Sequence, residues 1–417
     1  MNAPSTQEAR QLFKKAADAF MRRQYAEALP LLEQAGSEGD VEAKNLLGVM
    51  QLNGMGVVQD PRRAAALFEA AAAQGLKEAQ YNLSNQLFNG LGTAEDETRA
   101  QQNLLAAAAA GHRPALRSLG LLYHDAGGGD ARWATLATRC FRLAAEAGDP
   151  LAQYLFGLRL WRGHGTQQDP DGALQWFTAA AQARVYLAEM RLAGISRSHE
   201  DRTRLPASKT ETALVPCALP RLPEPSASRE QAFMSEYGEA LDEYLADHLI
   251  NVAAPMLMPS SVVDPSTGAA VQSQLRTSHS MHLQPSMYDA ATHLALRRIA
   301  CIAGLPVSHA EPLGVLRYGP GQEYRPHYDY YTDGQHQAQR VATVFVYLNH
   351  VEEGGGTDFP RLGVKVDPAR GKAVKFLNCD AEGKPNPETL HAGLPVIRGE
   401  KWLATLWFWD RPFVWFS

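Results

Sequence analysis

The stretch AKNLLGVMQLNGMGVVQDPRRAAALFEAAAAQG, residues 43–75, combines small alanines, apolar residues at helical spacing and a G-x-G turn. One series of alanines and one series of glycines recur along the chain with a period of 36 or 37 residues. The recurring positions are Ala43, Ala79, Ala115 and Ala152, and Gly39, Gly75, Gly111 and Gly148. Because two independent markers share one period, we interpret each period as a helix-turn-helix unit. Small alanines let helices approach closely, and glycine supplies the positive φ needed between them.

The G-x-G turn is a third marker of the same repeat. It occurs at residues 54–56, 90–92 and 163–165, and in degraded form at 127–129. The pattern of residues 43–75 resembles the Sel1-like repeat, a relative of the tetratricopeptide repeat, and this resemblance covers about residues 40–195. The segment Ala9 to Gln34 looks like an N-terminal helical cap or a partial first repeat. The resemblance implies an all-α solenoid that binds a protein or peptide, although an array that only spaces its neighbour stays open.

The chain changes character after Ile195. Residues 196–230 are polar, contain several prolines and lack a helical period, which predicts a linker. Three segments follow from this composition: a helical repeat domain over 1–195, the linker over 196–230 and a second domain over 231–417. The second domain is expected to begin with an amphipathic helix from about Gln231 through Leu249, followed by short strands and turns.

The charge balance excludes some classes of partner. The 417 residues include 45 acidic and 40 basic side chains, which gives a formal net charge of -5, and there is no long basic run. Non-specific binding to nucleic acid therefore has little electrostatic support. No apolar stretch approaches the roughly 18 to 20 residues that span a bilayer, so a membrane protein is not expected.

The cysteines and the first residues predict a cytoplasmic protein. Cys140, Cys217, Cys301 and Cys379 lie far apart, without a C-x-x-C pair. Charged residues such as Glu8 and Arg10 stand where a secretory signal would need an apolar segment.

Two H-x-D triplets are candidates for a metal site. A two-residue step places both side chains on one face of a strand, where one ion can bind both. His199 and Asp201 lie in the predicted linker without a strand pattern. His327 and Asp329 follow strand-like residues around the turn 319–321, so this second triplet is preferred. Two histidines and a carboxylate on one face are typical of a non-haem Fe(II) site with open positions.

The third ligand has to come from elsewhere in the chain. His391 is the best remaining candidate because of the segment HAGLPVIRGEKWLATLWFWD that starts with it. Lys401 stands ten residues later, at the head of an alternating strand that has Leu403, Thr405 and Trp407 on the same face. A buried ammonium at this position could pair with the far end of a dicarboxylate.

Residues from roughly 231 to 409 resemble the catalytic domain of the prolyl 4-hydroxylase alpha-subunit branch of the Fe(II)/2-oxoglutarate dioxygenases. The resemblance rests on an ordered set of motifs: SSVVDPSTG, RTSHS, LRYGPGQEYRPHYDYY, RVATVFVYLN, EGGGTDFP, GKAVKFLN and HAGLPVIRGEKWLATLWFW. It implies a double-stranded β-helix, a jelly-roll barrel with flanking helices, that carries the metal at its mouth.

The same resemblance implies a set of roles. His327, Asp329 and His391 would bind the iron, and Lys401 would bind the distal carboxylate of 2-oxoglutarate. Two further residues would donate hydrogen bonds to this co-substrate, Tyr318 and Thr357. Three residues match family positions that contact the substrate: Tyr324, Arg340 and Trp407.

The implied reaction is the hydroxylation of a protein or peptide, with proline C4 as the first candidate. It would use Fe(II), 2-oxoglutarate, O2 and L-ascorbate, with succinate and CO2 as co-products. The repeats would recruit the substrate protein. Two alternatives stay open: an inactive or sensing scaffold, and an oxygenase that acts on a small molecule.

Several residues near the predicted site have competing interpretations. Trp407 could be a core aromatic instead of a substrate contact. Arg276 could touch substrate or cap a loop. His279 and His282 are expected to be solvated histidines in a loop, and Asp333 is a rival carboxylate to Asp329 that lacks the H-x-D spacing.

Overall fold

The structure of the protein is a computed structural model. It describes residues 6–127, 130–194, 213–215, 229–231, 233–263, 270–272, 275–331, 338–380 and 382–413. The chain forms two compact units, one of residues 1–220 with 285–290 and the other of residues 221–284 with 291–415. Most of the predicted linker 196–230, including His199 and Asp201, lies outside the described residues. The predicted boundaries at residues 195 and 231 therefore stay predictions.

The first unit consists of consecutive antiparallel helix pairs, as the repeat predicts. Its helices are α1 Thr6–Met21, α2 Tyr25–Ser37, α3 Val41–Asn53, α4 Pro61–Ala72, α5 Lys77–Asn89, α6 Glu97–Ala109, α7 Arg113–Ala126, α8 Ala131–Glu146, α9 Pro150–Arg162, α10 Pro170–Gln182 and α11 Tyr186–Gly194. The pair α1 and α2 corresponds to the predicted N-terminal cap or partial repeat. The solenoid interpretation of this unit is confirmed.

The starts and ends of many helices follow from residues that the repeat carries. Aspartates precede many of the helices, and their side chains accept hydrogen bonds from backbone N–H groups of the first turn. These N-caps are Asp40, Asp60, Asp96, Asp130, Asp149 and Asp169. The helices α3, α5 and α9 end at glycines in the left-handed conformation, Gly54, Gly90 and Gly163. The first glycine of each of these G-x-G turns is therefore a C-cap.

The second glycine of the turn is required by a close approach between repeats. A Cβ on Gly92 would lie 2.1 Å from the carbonyl oxygen of Pro61 in the preceding repeat. A Cβ on Gly165 would lie 2.2 Å from the carbonyl oxygen of Ala134. Both glycines have positive φ, 74° and 64°. The turn therefore needs glycine both for its backbone conformation and for its contact with the previous repeat.

The second unit begins differently from the prediction. A hairpin of two short strands, Arg229–Gln231 and Met234–Tyr237, occupies the start of the segment whose pattern predicts a helix from Gln231. The helix begins only at Glu243, where the side chain of Asp242 accepts a hydrogen bond from the N–H of Leu245 at 2.9 Å. Gly238 and Glu239 follow the hairpin, and Glu239 has a φ of 55° that interrupts regular structure. The predicted start of the helix is therefore wrong.

The remaining elements of this unit are mostly strands. The strands are β1 Arg229–Gln231, β2 Met234–Tyr237, β3 Met258–Pro259, β4 Ser261–Val263, β5 Ala270–Gln272, β6 His279–Leu283, β7 Leu313–Tyr318, β8 Tyr324–His327, β9 Arg340–Tyr347, β10 Glu353–Gly354, β11 Thr357–Phe359, β12 Val364–Val366, β13 Ala373–Leu377, β14 His391–Gly393, β15 Val396–Arg398 and β16 Lys401–Trp409. The α-helices are α12 Glu243–Ala253 and α13 Ala290–Ala303, and short 3-10 turns cover Ala254–Met256, Val307–His309 and Pro387–Thr389. A further 3-10 turn, Pro285–Met287, belongs to the residues grouped with the first unit.

Two antiparallel sheets enclose the core of the second unit. The larger sheet has the order β1-β2-β13-β9-β16-β7-β6-β3, and the smaller has the order β12-β11-β14-β8. Leu316, Phe345 and Tyr347 of the larger sheet pack in one cluster with Phe359 and Val366 of the smaller. This is the predicted jelly-roll architecture with flanking helices. Across the described residues, no helix is both long and apolar enough to cross a membrane.

The contact of Gly92 with Pro61 makes a stability prediction. Gly92→Ala should lower the free energy of unfolding by about 2 to 4 kcal/mol, because it adds an overpacked methyl to an unfavourable φ. Gly111 has a nearly equal φ of 75°, and no atom lies within 4 Å of the place that a Cβ would take. Gly111→Ala is thus the matched control, with an expected loss of about 1 kcal/mol. Urea unfolding followed by circular dichroism measures both, and equal losses would contradict the close approach.

Candidate metal centre

Strand register brings the predicted metal ligands together. In the smaller sheet, His327 on β8 lies directly opposite His391 on β14. Asp329 follows the end of β8 by two residues. Of the described residues, these three form the group of side chains that could hold a metal ion, with ligand atoms all within 4.8 Å of one another. The sequence spacing of two residues and the cross-strand pair therefore converge on one point.

The distances within this group suit a shared ion. Nε2 of His327 lies 3.6 Å from Oδ1 of Asp329, and Nε2 of His391 lies 3.9 Å from Oδ2. The two imidazole ring centres are 4.2 Å apart. Two nitrogens and one carboxylate oxygen on one face are the donors of a facial triad, which leaves the other face of the ion open.

The hydrogen bonds of both imidazoles fix their tautomers. Nδ1 of His327 lies 2.8 Å from the carbonyl oxygen of Arg325, and Nδ1 of His391 lies 3.0 Å from that of Thr389. Because a carbonyl oxygen only accepts, Nδ1 carries the proton in each ring. The Nε2 lone pairs are left to face the centre, as in metal-binding histidines.

The charges of the group also favour a cation. Burial, followed by the neighbouring His391, lowers the pKa of His327 to about 3, so its imidazole is neutral at ordinary pH. Burial would raise the pKa of Asp329, but His391, His327 and Arg340 outweigh burial and hold that pKa below its usual range. The ionised carboxylate of Asp329 beside the neutral imidazole of His327 is a protonation state that favours a divalent metal.

Lys401 lines the same cavity as the three candidate metal ligands. Register pairs it with Tyr318 across β16 and β7, and its Nζ lies 4.3 Å from the centre of the Tyr318 ring. The residue is 0% exposed, and Nζ has no hydrogen-bond partner among the described residues. Burial lowers the pKa of Lys401 to about 7. A buried ammonium without a partner is costly, which points to a ligand carboxylate as its partner.

Tyr318 and Thr357, the other predicted co-substrate contacts, also line this cavity. Tyr318 is buried, with its ring against the Lys401 ammonium. The hydroxyl of Thr357 is 2.7 Å from the buried Tyr347 hydroxyl, and either of the two can donate. Gly393 lies opposite Thr357, and a Cβ there would approach Nζ of Lys401 to 3.2 Å. Glycine at position 393 thus leaves room beside the ammonium.

The three predicted substrate residues have different surroundings. Tyr324 stacks on His327 with ring centres 3.4 Å apart and lines the cavity. Trp407 also lines the cavity, and its buried Nε1 has no partner among the described residues. Arg340 instead donates to Glu311 at 2.5 and 2.8 Å, and its guanidinium lies 4.6 Å from the centre of the Trp407 ring. In this structure Arg340 therefore supports Trp407 and is already paired.

Arg276 belongs to the cavity wall as well. It is 8% exposed, and its guanidinium lies 5.1 Å from the centre of the Tyr324 ring. Nε donates to Oγ of Ser278 at 3.2 Å, while the buried Nη2 has no partner among the residues described. Of the two interpretations from sequence, a ligand contact accounts for this unpaired donor, whereas a loop cap does not.

The sequence predicts that His279, in the RTSHS segment, and the nearby His282 lie in a loop, and this prediction is wrong. His279 and His282 both lie on β6. Residues three apart on a strand point to opposite faces, so these two cannot share an ion. His282 stacks on Trp407 with ring centres 6.0 Å apart, which gives it a packing role. Asp333, the rival carboxylate, lies outside the described residues.

Sequence reasoning missed the residues that support Asp329. Thr343 donates to Oδ2 of Asp329 at 2.8 Å, and Asn378 donates to Thr343 at 2.9 Å. Thr343 lies in the motif RVATVFVYLN, where it alternates with Phe345 and Tyr347 toward the core. A hydroxyl on the inward face of an apolar strand is the signal that could have identified it.

Comparison with known proteins finds one family match in each half of the chain. Residues 313–409 match the 2OG-Fe(II) oxygenase superfamily. The Sel1 repeat matches residues 3–19, 41–76, 77–112, 114–149 and 150–184. Prolyl 4-hydroxylase 5 of Arabidopsis thaliana is 35% identical over 194 residues, which are 41% of this chain and 66% of that protein. Probable prolyl 4-hydroxylase 6 of the same plant is 36% identical over 202 residues, 42% of this chain and 69% of that protein.

The chain belongs to the prolyl 4-hydroxylase family. It spans about two thirds of the length of the curated relatives that it matches. Among solved structures, the 2-oxoglutarate complex of the viral collagen prolyl hydroxylase from Paramecium bursaria Chlorella virus-1 is 32% identical. It matches 43% of this chain and 97% of that chain, with a TM-score of 0.36.

Fe(II) and 2-oxoglutarate are the metal and co-substrate that membership of the family implies, and the residues present fit both. The N2O donor set of His327, Asp329 and His391 suits Fe(II). The Lys401 ammonium, which has no partner among the described residues, suits the distal carboxylate of the co-substrate.

The pKa of Lys401 predicts how 2-oxoglutarate affinity depends on pH. A bound carboxylate raises the ammonium pKa above its value of about 7 in the free protein. Affinity should therefore be constant below pH 7 and fall above it, by up to about tenfold per pH unit, until the pKa of the complex is reached. Anaerobic titration calorimetry of the Mn(II)-loaded protein between about pH 6 and pH 9 measures this.

Lys401→Arg is the matched control, because a guanidinium keeps its charge throughout this range. Its affinity for 2-oxoglutarate, weaker or not, should not change with pH. A wild-type affinity that is flat up to about pH 9 would contradict the pairing of Lys401 with the co-substrate.

Proposed function

We propose that this protein is an Fe(II)- and 2-oxoglutarate-dependent hydroxylase of prolyl residues in a protein or peptide. Hydroxylation at proline C4, with succinate and CO2 as co-products, is the reaction we propose. The observation that carries the proposal is one cavity lined both by a His-Asp-His group and by a buried lysine without a partner among the described residues. Membership of the prolyl 4-hydroxylase family supports the choice of proline.

When bound, the metal and co-substrate supply the oxidising chemistry. The chain supplies position and charge. His327, Asp329 and His391 hold the ion from one side, so that ligands can bind only from the cavity. Lys401 neutralises the far carboxylate of 2-oxoglutarate and fixes which end of it reaches the metal. The apolar wall around them, with Leu316 and Phe345 among its residues, excludes water.

The remaining donors of the cavity suit a peptide. Arg276 Nη2 and Trp407 Nε1 are both buried and lack partners among the described residues. Peptide carbonyl oxygens would satisfy them, because every residue of an extended peptide offers one. Tyr324, stacked on His327, adds an aromatic face on which a proline ring can pack.

Three finer points belong to the same proposal. The Sel1-like helix pairs would recruit the substrate protein, which predicts a lower KM for an intact protein substrate than for a peptide cut from it. L-Ascorbate would serve as reductant, as the family resemblance implies. A cytoplasmic location agrees with the free thiols of Cys140, Cys301 and Cys379.

The activity itself is tested by incubating the purified protein with Fe(II), 2-oxoglutarate, ascorbate and proline-rich peptides. We expect succinate release that increases with peptide, and one added oxygen on a proline by tandem mass spectrometry. Asp329→Ala is the blank, because it removes the anionic protein ligand of the metal and should abolish turnover. Peptide-dependent turnover without modified proline would redirect the proposal to another residue type, and turnover equal to the blank would contradict it.

Arg276 tests the peptide contact separately. Arg276→Leu should lower kcat/KM for the peptide by about ten- to a hundredfold, the usual cost of a lost hydrogen bond from a charged donor. The affinity for 2-oxoglutarate should change less than about twofold, since Lys401 holds it elsewhere. His279→Ala is the control, because His279 lies on β6, three residues after Arg276, and does not line the cavity. It should leave both kcat/KM for the peptide and the affinity for 2-oxoglutarate unchanged. An unchanged kcat/KM for Arg276→Leu would contradict the contact.

A further inference from the structure

Asp329 is the inner end of a short chain of buried hydrogen bonds. Nδ2 of Asn378 donates to Oγ1 of Thr343 at 2.9 Å, and Oγ1 of Thr343 donates to Oδ2 of Asp329 at 2.8 Å. Asn378 is 0% and Thr343 1% exposed. Strand register places Thr343 opposite Trp407 on β16 and Phe376 on β13. Thr343 thus lies within the larger sheet, and Asn378 directly follows the end of β13.

The chemistry of the two side chains gives this chain a direction. An amide nitrogen donates only, so Thr343 accepts from Asn378 and has its single proton left for Asp329. The main chain of Asn378 is fixed on both sides, since its N–H donates to Val341 at 2.9 Å and its carbonyl accepts from Asn386 at 2.8 Å. The opposite amide orientation would present Oδ1, which would take the Thr343 proton and leave Asp329 without this donor.

The direction of the hydrogen bonds decides which carboxylate oxygen of Asp329 is available to a metal ion. Oδ2 is held by Thr343, while Oδ1 lies 3.6 Å from Nε2 of His327. A carboxylate with one oxygen engaged in this way binds a metal through the other. A six-coordinate ion then keeps three positions open, two for a 2-oxo acid and one for dioxygen. A carboxylate bound through both oxygens would fill one of them.

We propose that Asn378 and Thr343 are positioning residues that hold Asp329 as a ligand through a single oxygen and so keep the third position of the metal open. This inference rests on the proposed function, because it concerns the same metal. It assigns a task to two residues that are not themselves candidate metal ligands.

The number of water molecules on the metal tests the inference directly. Mn(II) bound to the protein without co-substrate accelerates the relaxation of water protons in proportion to its exchangeable waters. Thr343→Val keeps the shape of the side chain but removes the hydroxyl, so Asp329 can turn and bind through both oxygens. We expect the relaxation enhancement per bound Mn(II) to fall by about one third, from three waters to two.

Two further variants separate positioning from packing. Thr343→Ser restores the hydroxyl in a smaller side chain and should restore the wild-type enhancement. Asn378→Asp keeps the size of the side chain but replaces the donor by an acceptor, which reverses the chain of bonds. It should behave like Thr343→Val, and it provides the same test if the valine variant fails to fold. In turnover, both disruptive variants should raise the KM for dioxygen more than the KM for 2-oxoglutarate.

The outcomes distinguish this inference from the proposed function. Equal enhancement in wild type, Thr343→Val and Asn378→Asp overturns the role of Thr343 and Asn378 alone. An enhancement that falls in Thr343→Ser as much as in Thr343→Val also overturns it, because packing would then be the cause. A wild-type protein that binds no Mn(II) contradicts the metal site itself, and both proposals with it.

Discussion

Lys401 carries an ammonium group in a fully buried position, and among the described residues it has no hydrogen-bond partner. Removing a charge from water without compensation costs several kcal/mol. The surrounding structure holds Lys401 in this position. Strand register pairs Lys401 with Tyr318, and the glycine at position 393 leaves space beside Nζ. Such an arrangement is destabilising in the free protein and favourable once a carboxylate enters. The three candidate metal ligands line the same cavity.

The repeat unit could be predicted from sequence because its signals are local. The alanines, the aspartate caps and the first glycine of the G-x-G turn act within one period, and most periods repeat them. The start of the second unit could not be predicted in this way. The residues after Gln231 have the pattern of an amphipathic helix, but they begin with a hairpin whose second strand pairs with β13, far along the chain. Tertiary pairing overrides local preference there.

The same distinction between local signals and tertiary pairing applies to the residues of the site. His327 and Asp329 can be predicted from their two-residue spacing, and the strand pattern after His391 points to Lys401. Thr343 and Asn378 cannot be predicted in this way, because their hydrogen bonds to each other and to Asp329 form only when β9 and β13 lie side by side. The ion pair of Arg340 with Glu311 could not be predicted either, because no sequence spacing connects the two residues. The substrate contact of Arg340 stays a prediction.

The central claim is that Lys401 selects the co-substrate by its distal carboxylate. The most direct measurement compares 2-oxoglutarate with pyruvate, a 2-oxo acid that lacks this carboxylate, in anaerobic titrations of the Fe(II)-loaded wild type and of Lys401→Ala. The account predicts that wild type prefers 2-oxoglutarate by about a hundredfold, the worth of a buried charge-assisted hydrogen bond, and that Lys401→Ala loses most of this preference while still binding Fe(II). An equal preference in the two proteins would contradict it.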